Sequence, residues 1–257
     1  MNHRYGSSDA HDSAGQPWAG RSFQANPNVA DDGSPDPALL AALTAFHAGT
    51  GPRAAVVDAL RTARLLVPLL TEAGDIGFTE EGRRVDKTQE LSLVTVEGPG
   101  GRPVLPAFTS VDSMRAWNAS ARPIPAEARR IALAAGSDGA GVVIDPLSPT
   151  EYALRRPALA ALATDEPWAP PWDVDALWEA YRLFMAGESE ILAIDIGPVR
   201  EGSTFFDPEV GIVLTVSAEL PDDAAEALIA RADLVWRAVD AGFDGPDSVA
   251  VAVLRTD

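Results

Sequence analysis

The spacing of apolar residues predicts alternating helices and strands between residues 36 and 163. Behind Asp36 and Pro37, leucines recur at helical spacing, and Asp and Pro are favoured at the start of a helix. Continuous apolar runs bounded by Gly and Pro favour buried strands. The pattern predicts helices from 37 to the break at 49–52 and at 53–63, 110–119, 126–135 and 157–163, and strands in RLLVPLL, ELSLVTV, RPVLPAF and GVVIDP.

Residues 71–88 are polar and Gly-rich, which is typical of a loop. The two strands around Gly98-Pro99-Gly100-Gly101 are separated by turn residues and predict a hairpin.

The pattern after residue 172 predicts a second module. Leu177, Tyr181 and Phe184 share one face of a helix that ends near 185. Strands are predicted at 190–198 and 208–217, a long helix at 222–241, and a last strand in SVAVAVLR. This order favours helices packed on a largely antiparallel sheet.

The predicted fold class is α/β in the broad sense (α+β), with two modules that each pack helices on a small mixed sheet. Residues 1–35 lack an apolar period and predict a disordered tail. Residues 36–163 form the first module, residues 164–172 a linker rich in Pro and Trp, and residues 173–257 an acidic α+β module.

Charge is distributed unevenly between these modules. The net charge of the chain is −18, and residues 164–257 carry 20 acids and 5 bases, a net of −15. A basic footprint for phosphates is absent, which disfavours nucleic acids and anionic membrane surfaces as partners. The acidic surface serves solubility or attracts a basic protein partner.

The chain has no cysteine, which excludes thiolate nucleophiles, disulfides, zinc–thiolate sites and iron–sulfur clusters.

Neither a signal sequence nor an apolar run of membrane-spanning length is visible, so we predict a cytoplasmic protein. Nineteen of the twenty basic residues are arginine, which suggests a GC-rich genome.

Catalytic motifs are not apparent. His47 is the only histidine outside the tail, and its place late in a helix suits the helix dipole better than a catalytic triad. Asp222, Asp223 and Glu226 lie at a helix start, where acids are favourable without a metal. GSDGAG follows a helix instead of a strand, so Gly136 is predicted to end that helix and no phosphate site is assigned. We predict no catalytic residue, metal ligand or cofactor.

The junction Phe108-Thr109-Ser110 leads from a strand into a helix that carries Trp117. Thr109 with Asp112 fits a capping box, and Ser110 is the alternative cap. A capped joint needs no ligand, yet the free amides and hydroxyls of such a turn could also bind a small anion. Trp168 and Trp172 flank the prolines of the linker, where they either anchor it or contact a partner.

These residues resemble a known family. RLLVPLL, ELSLVTV, the Gly-rich hairpin, the Phe108-Thr109-Ser110 junction before Trp117, and GVVIDP ahead of YALRR are similar to the SseB N-terminal domain, particularly its actinobacterial versions. The resemblance covers about 36–163, and 173–257 looks loosely like the module that often follows that domain. The family name stands for enhanced serine sensitivity, and the resemblance implies a link to serine tolerance and to a rhodanese-like sulfurtransferase encoded nearby. Because this chain has no cysteine to carry sulfur as a persulfide, the role implied by that link is accessory.

Three functions follow as hypotheses. The first is a non-catalytic interaction or regulatory protein that binds a protein partner. The second is a sensor of small anions or amino acids at the junction. The third is an enzyme of unrecognised type, which requires converging carboxylates with a perturbed pKa in a pocket.

Overall fold

The helices and strands follow the predicted alternation in a computed structural model, which describes residues 31–70, 76–78, 84–86, 95–240 and 245–257. The tail predicted at 1–35 lies outside the described residues as far as residue 30. Up to residue 164, the elements are α1 (Pro37–His47), α2 (Arg53–Leu60), β1 (Arg64–Leu69), β2 (Ile76–Phe78), β3 (Arg84–Asp86), β4 (Val96–Glu97), β5 (Pro103–Ala107), α3 (Val111–Trp117), β6 (Arg122–Glu127), α4 (Ala128–Ser137), β7 (Gly141–Ile144), β8 (Tyr152–Leu154) and α5 (Arg156–Thr164).

The first half is built on two connected sheets. One has the strand order β4-β5-β7-β8, in which β5 and β7 are parallel, and the other pairs β1 with β6. A bridge between Leu66 and Phe108 joins β1 to the end of β5. The predicted hairpin at 98–101 is confirmed by the antiparallel pair β4 and β5.

Side chains from both faces of β1 are buried, which explains its continuous apolar sequence. Leu65 and Val67 enter the main core, which also contains residues of α1, α2, α4 and α5. Leu66 enters a smaller cluster with α3 on the opposite face. Asp36 caps α1 as predicted, because its carboxylate accepts hydrogen bonds from the Ala38 and Leu39 amides at 2.9 and 3.0 Å.

The second half contains α6 (Asp175–Gly187), β9 (Ile191–Pro198), β10 (Val210–Ser217), α7 (Asp222–Asp240) and β11 (Val249–Thr256). Its sheet has the order β11-β10-β9. Leu177 and Tyr181 of α6, with Leu228 and Ala232 of α7, pack on one face of this sheet. The predicted order α-β-β-α-β and the α+β fold class are confirmed.

Several details differ from the predictions. The loop predicted at 71–88 contains the short antiparallel strands β2 and β3. Strand β10 is antiparallel to β9 but parallel to β11, so the second sheet is mixed and not largely antiparallel. Helix α4 continues past Gly136 to Ser137, and Gly139 adopts the left-handed conformation after it, with φ +63°.

The proposed boundary at 164–172 stays a prediction. The described residues from 33 onward form one compact unit, although their buried apolar residues separate into distinct clusters.

Candidate functional site

Phe108 lies at the end of β5 and is fully buried. Its backbone N–H donates to the Leu66 carbonyl at 2.9 Å, and its carbonyl accepts from the Leu66 N–H at 2.8 Å. Its ring packs against Trp117 with centroids 5.3 Å apart. Phe108 and Trp117 therefore hold α3 on the sheet.

Thr109 is buried beside the carboxylate of Asp145, which follows β7. Its N–H donates to one carboxylate oxygen at 2.8 Å, and its hydroxyl donates to the other at 2.7 Å. Thr150 donates to that second oxygen at 2.9 Å. The parallel pairing of β5 and β7 places these residues at one edge of the sheet, and the buried carboxylate is satisfied within the protein.

Ser110, and not Thr109, caps α3. The Ser110 hydroxyl accepts from the Ser113 N–H at 3.0 Å, and the Ser113 hydroxyl accepts from the Ser110 N–H at 3.2 Å. The capping box predicted from Thr109 and Asp112 is wrong because the Thr109 hydroxyl is bonded to Asp145, whereas the alternative cap Ser110 is confirmed.

The junction offers few donors to a ligand. The amides of Thr109, Ser110 and Ser113 are bonded as above, and the Val111 N–H donates to the Gly33 carbonyl at 2.9 Å. Asp145 already supplies an anionic group at this turn. These contacts give no support to the small-anion site, which stays a prediction.

The linker tryptophans pack within the chain. Trp168 contacts the main core of the first half, and Trp172 contacts the core of the second. The Arg53 guanidinium lies over the Trp172 ring, 5.1 Å from its centroid. These contacts are those of an anchored segment, and partner contact through either ring stays a prediction.

Arg155 is the centre of a polar joint between the two halves, which we define as Arg155, Asp247, Ser248 and Glu209. The Arg155 guanidinium contacts the Asp247 carboxylate at 3.3 Å and donates to the Ser248 hydroxyl at 3.0 Å. It also donates to the carbonyls of residues 204 and 207 and lies 5.3 Å from the centroid of the Phe205 ring. A guanidinium has five N–H donors in a fixed planar fork, and the acceptors around Arg155 satisfy them although the side chain is buried.

Glu209 is the one carboxyl among the described residues whose pKa is raised to near neutrality. Desolvation raises its pKa to about 7, although the Asp247 N–H donates to it at 2.6 Å and Arg155 and Arg53 favour its charged form. The adjoining recess has a volume of about 20 Å³, enough for roughly one water molecule. A perturbed carboxyl is therefore present without room for a substrate beside it.

The described residues contain no group of three or more His, Asp or Glu side chains placed to hold a metal ion. None of their helices combines the length and apolar character needed to cross a bilayer.

In the part of the chain that the structure describes, α6 and α7 pack on one face of the sheet of the second half, and no helix packs on the other face. Side chains alternate along strands, so the residues between the buried positions of β10 and β11 point away from α6 and α7. We call this surface the open sheet face. Its cross-strand rows are Gly197–Gly211–Ala250, Asp195–Val213–Ala252 and Ala193–Thr215–Leu254.

The composition of the open sheet face is unusual for a solvated surface. Antiparallel sheets that face water on one side normally carry polar residues there. Here only Asp195 and Thr215 are polar, while Ala193, Ala252 and Leu254 are exposed. The three rows extend roughly 13 Å along the strands and roughly 10 Å across them. Apolar side chains gathered on an exposed face are a common feature of interaction sites.

The family match lies in the first half of the chain. Residues 39–161 match the family model described as SseB protein N-terminal domain. The match supports the assignment of this part of the chain to the SseB family. No curated protein and no solved structure matches the chain.

The SseB match contains the Phe108-Thr109-Ser110 junction, Asp145 and Arg155, but it ends before the open sheet face. The residues emphasised by the resemblance are thus largely internal, and the exposed apolar surface belongs to the part of the chain without a match.

The sequence did contain a signal for this surface. In SVAVAVLR, every second residue is a valine that reaches the core, and the residues between them are alanine or leucine where a polar residue is usual. A strand that is apolar on both faces predicts either burial of both faces or a binding surface.

Proposed function

We propose that this SseB-family chain is a non-catalytic interaction or regulatory protein, and that it binds a protein partner through the open sheet face. The observation that carries the proposal is the exposed apolar surface of three paired strands, with Val213 at its centre and Leu254 at its edge. Burying such a surface against a partner stabilises the complex by roughly 25 cal/mol per Å² of apolar area, before the costs of association.

The charge of this half indicates the chemistry of the partner. Residues 164–257 carry a net charge of −15, and Asp195 is exposed within the open sheet face. A partner with apolar side chains surrounded by Arg or Lys would be attracted to this surface, and the attraction would weaken as salt screens it. A second copy of the chain would instead be repelled.

A catalytic role has less support. The carboxyl with a raised pKa lies in the polar joint, where the recess is too small for a substrate, and Asp145 is fully bonded to threonines. The cytoplasmic location and actinobacterial type are retained as proposals, which rest on the composition of the chain.

Site-specific photo-cross-linking in the native host tests the proposal. A photoreactive amino acid replaces Ala252 on the open sheet face or, as a matched control, Leu183, an exposed residue of α6 on the opposite side of the sheet. We expect one basic protein to be cross-linked from position 252 and not from position 183.

The captured partner is then purified and its affinity measured. Ala252→Glu should weaken binding at least tenfold, whereas Leu183→Glu, which changes the charge equally, should have little effect. Equal cross-linking from both positions, or equal effects of the two substitutions, would contradict the proposal.

A further inference from the structure

A groove of about 550 Å³ lies between α4 and α5, and none of its lining residues belongs to the open sheet face. Its walls are mainly small or apolar, including Ala132 and Leu133 of α4 and Leu159 and Ala160 of α5. Leu133 is half exposed in it. Volumes of 300–1,000 Å³ with apolar walls and few polar groups are typical of sites for small molecules.

The direction of the groove follows from the pairing of its helices. Arg129, at the start of α4, donates to the Ala163 carbonyl at the end of α5 at 3.0 Å, so the two helices run antiparallel. The lining residues of α5 run from Arg156 to Ala163, so the groove extends along seven residue steps, or roughly 10 Å at 1.5 Å per residue. This length suits an alkyl chain of medium length.

Charged side chains are concentrated at the other end of the groove. Arg102, Arg156 and Asp247 line it where α4 ends and α5 begins. The helix dipoles oppose each other at this end, so side chains decide the sign of the local potential. The Asp247 carboxylate contacts both Arg155 and Arg102, which offsets its charge.

Arg102 has the geometry to bind a carboxylate. One of its five N–H donors contacts Asp247, its guanidinium lies 5.9 Å from the Phe205 ring centroid, and its side chain is 38% exposed. The N–H donors of a guanidinium form a planar fork, which binds a carboxylate through two parallel hydrogen bonds.

We propose that the groove between α4 and α5 binds an amphipathic monocarboxylate, with its apolar chain along Leu133 and Ala160 and its carboxylate on Arg102. This site is independent of the open sheet face and of the proposed protein partner. A cationic patch within a chain of net charge −18 provides the charge complementarity that selects an anionic head group.

Calorimetric titration of the full chain with decanoate, decanol and decyltrimethylammonium tests the proposal. We expect saturable one-site binding of decanoate, weaker binding of decanol, and no binding of the cation. Arg102→Gln should weaken decanoate at least tenfold and change decanol less than twofold, which also shows that the groove is intact. Ala160→Trp should fill the groove and abolish binding of both.

Arg130→Gln is the matched control, because Arg130 is on α4, is 78% exposed and lies outside the groove. It should bind decanoate like the unaltered chain. The proposal is overturned by an absence of saturable decanoate binding, by equal affinity for the cation, by equal affinities for decanoate and decanol, or by equal effects of Arg102→Gln and Arg130→Gln.

Discussion

Glu209→Gln should remove a pH-dependent loss of stability from the polar joint. In the folded chain, desolvation raises the pKa of Glu209 from 4.5 to about 7. Glutamine has nearly the same shape, and its side-chain carbonyl can still accept the hydrogen bond from the Asp247 N–H. The substitution therefore changes the titration of the joint more than its packing.

The sign and size of the effect follow from proton linkage. Between pH 4.5 and 7 the folded chain binds a proton at Glu209 that the unfolded chain has released, so the stability of the unaltered chain falls as pH rises. With these two pKa values, the free energy of unfolding loses about 2.5 kcal/mol between pH 5 and pH 8 through this group. The glutamine side chain of the variant does not titrate. Between pH 5 and pH 8, the free energy of unfolding of the variant should therefore rise by about 2.5 kcal/mol relative to that of the unaltered chain.

Urea unfolding followed by tryptophan fluorescence at pH 5, 6, 7 and 8 measures this difference. Comparing the two chains at each pH cancels the titration of groups that do not interact with residue 209, while any constant cost of burying an amide shifts all four differences equally. A difference between the chains that is the same at pH 5 and pH 8 would refute the desolvation argument.

Substitutions at three further positions, Asp145, Ser110 and Gly141, test individual contacts by urea unfolding. Asp145→Ala leaves buried threonine donors without an acceptor and should cost about 3 kcal/mol; a cost below about 1 kcal/mol would contradict the bonding described. Ser110→Ala should cost about 1 kcal/mol and Ser110→Asp much less, and equal costs would argue against capping. Gly141→Ala places a Cβ against the Phe205 ring and should cost about 1–3 kcal/mol; in the Phe205→Ala background the cost should disappear, and its persistence would locate the strain elsewhere.

The predicted elements that the structure confirms are those with a clear period. Helix α1 has both an apolar spacing and a capping residue, and β10 alternates strictly between buried and less buried positions. Strand β6 was not predicted because Pro123 and Pro125 argue against a strand in isolation. Among the described residues, β6 pairs with β1 alone, and prolines are tolerated in such an edge strand because one row of its N–H groups is not needed for pairing.

The environment of the junction could not be predicted in the same way. Thr109 and Asp145 are 36 residues apart, and they meet only because β5 and β7 become parallel neighbours. The sequence predicts a helix cap at Thr109 or Ser110. Which of the two caps α3 depends on the carboxylate of Asp145, which lies in another loop and binds the Thr109 hydroxyl. Contacts of this kind require the tertiary fold, whereas caps and periods are local.

Ser203 shows that the matched domain depends on the rest of the chain. Its carbonyl accepts from the Ala153 N–H at 3.1 Å, and its hydroxyl donates to the Ala153 carbonyl at 2.8 Å, along the outer edge of β8. A fragment cut after residue 163 would leave this strand edge unpaired and ready to recruit strands from other molecules. Aggregation of such a fragment would then indicate the loss of this intramolecular strand partner and not an inherently unstable fold.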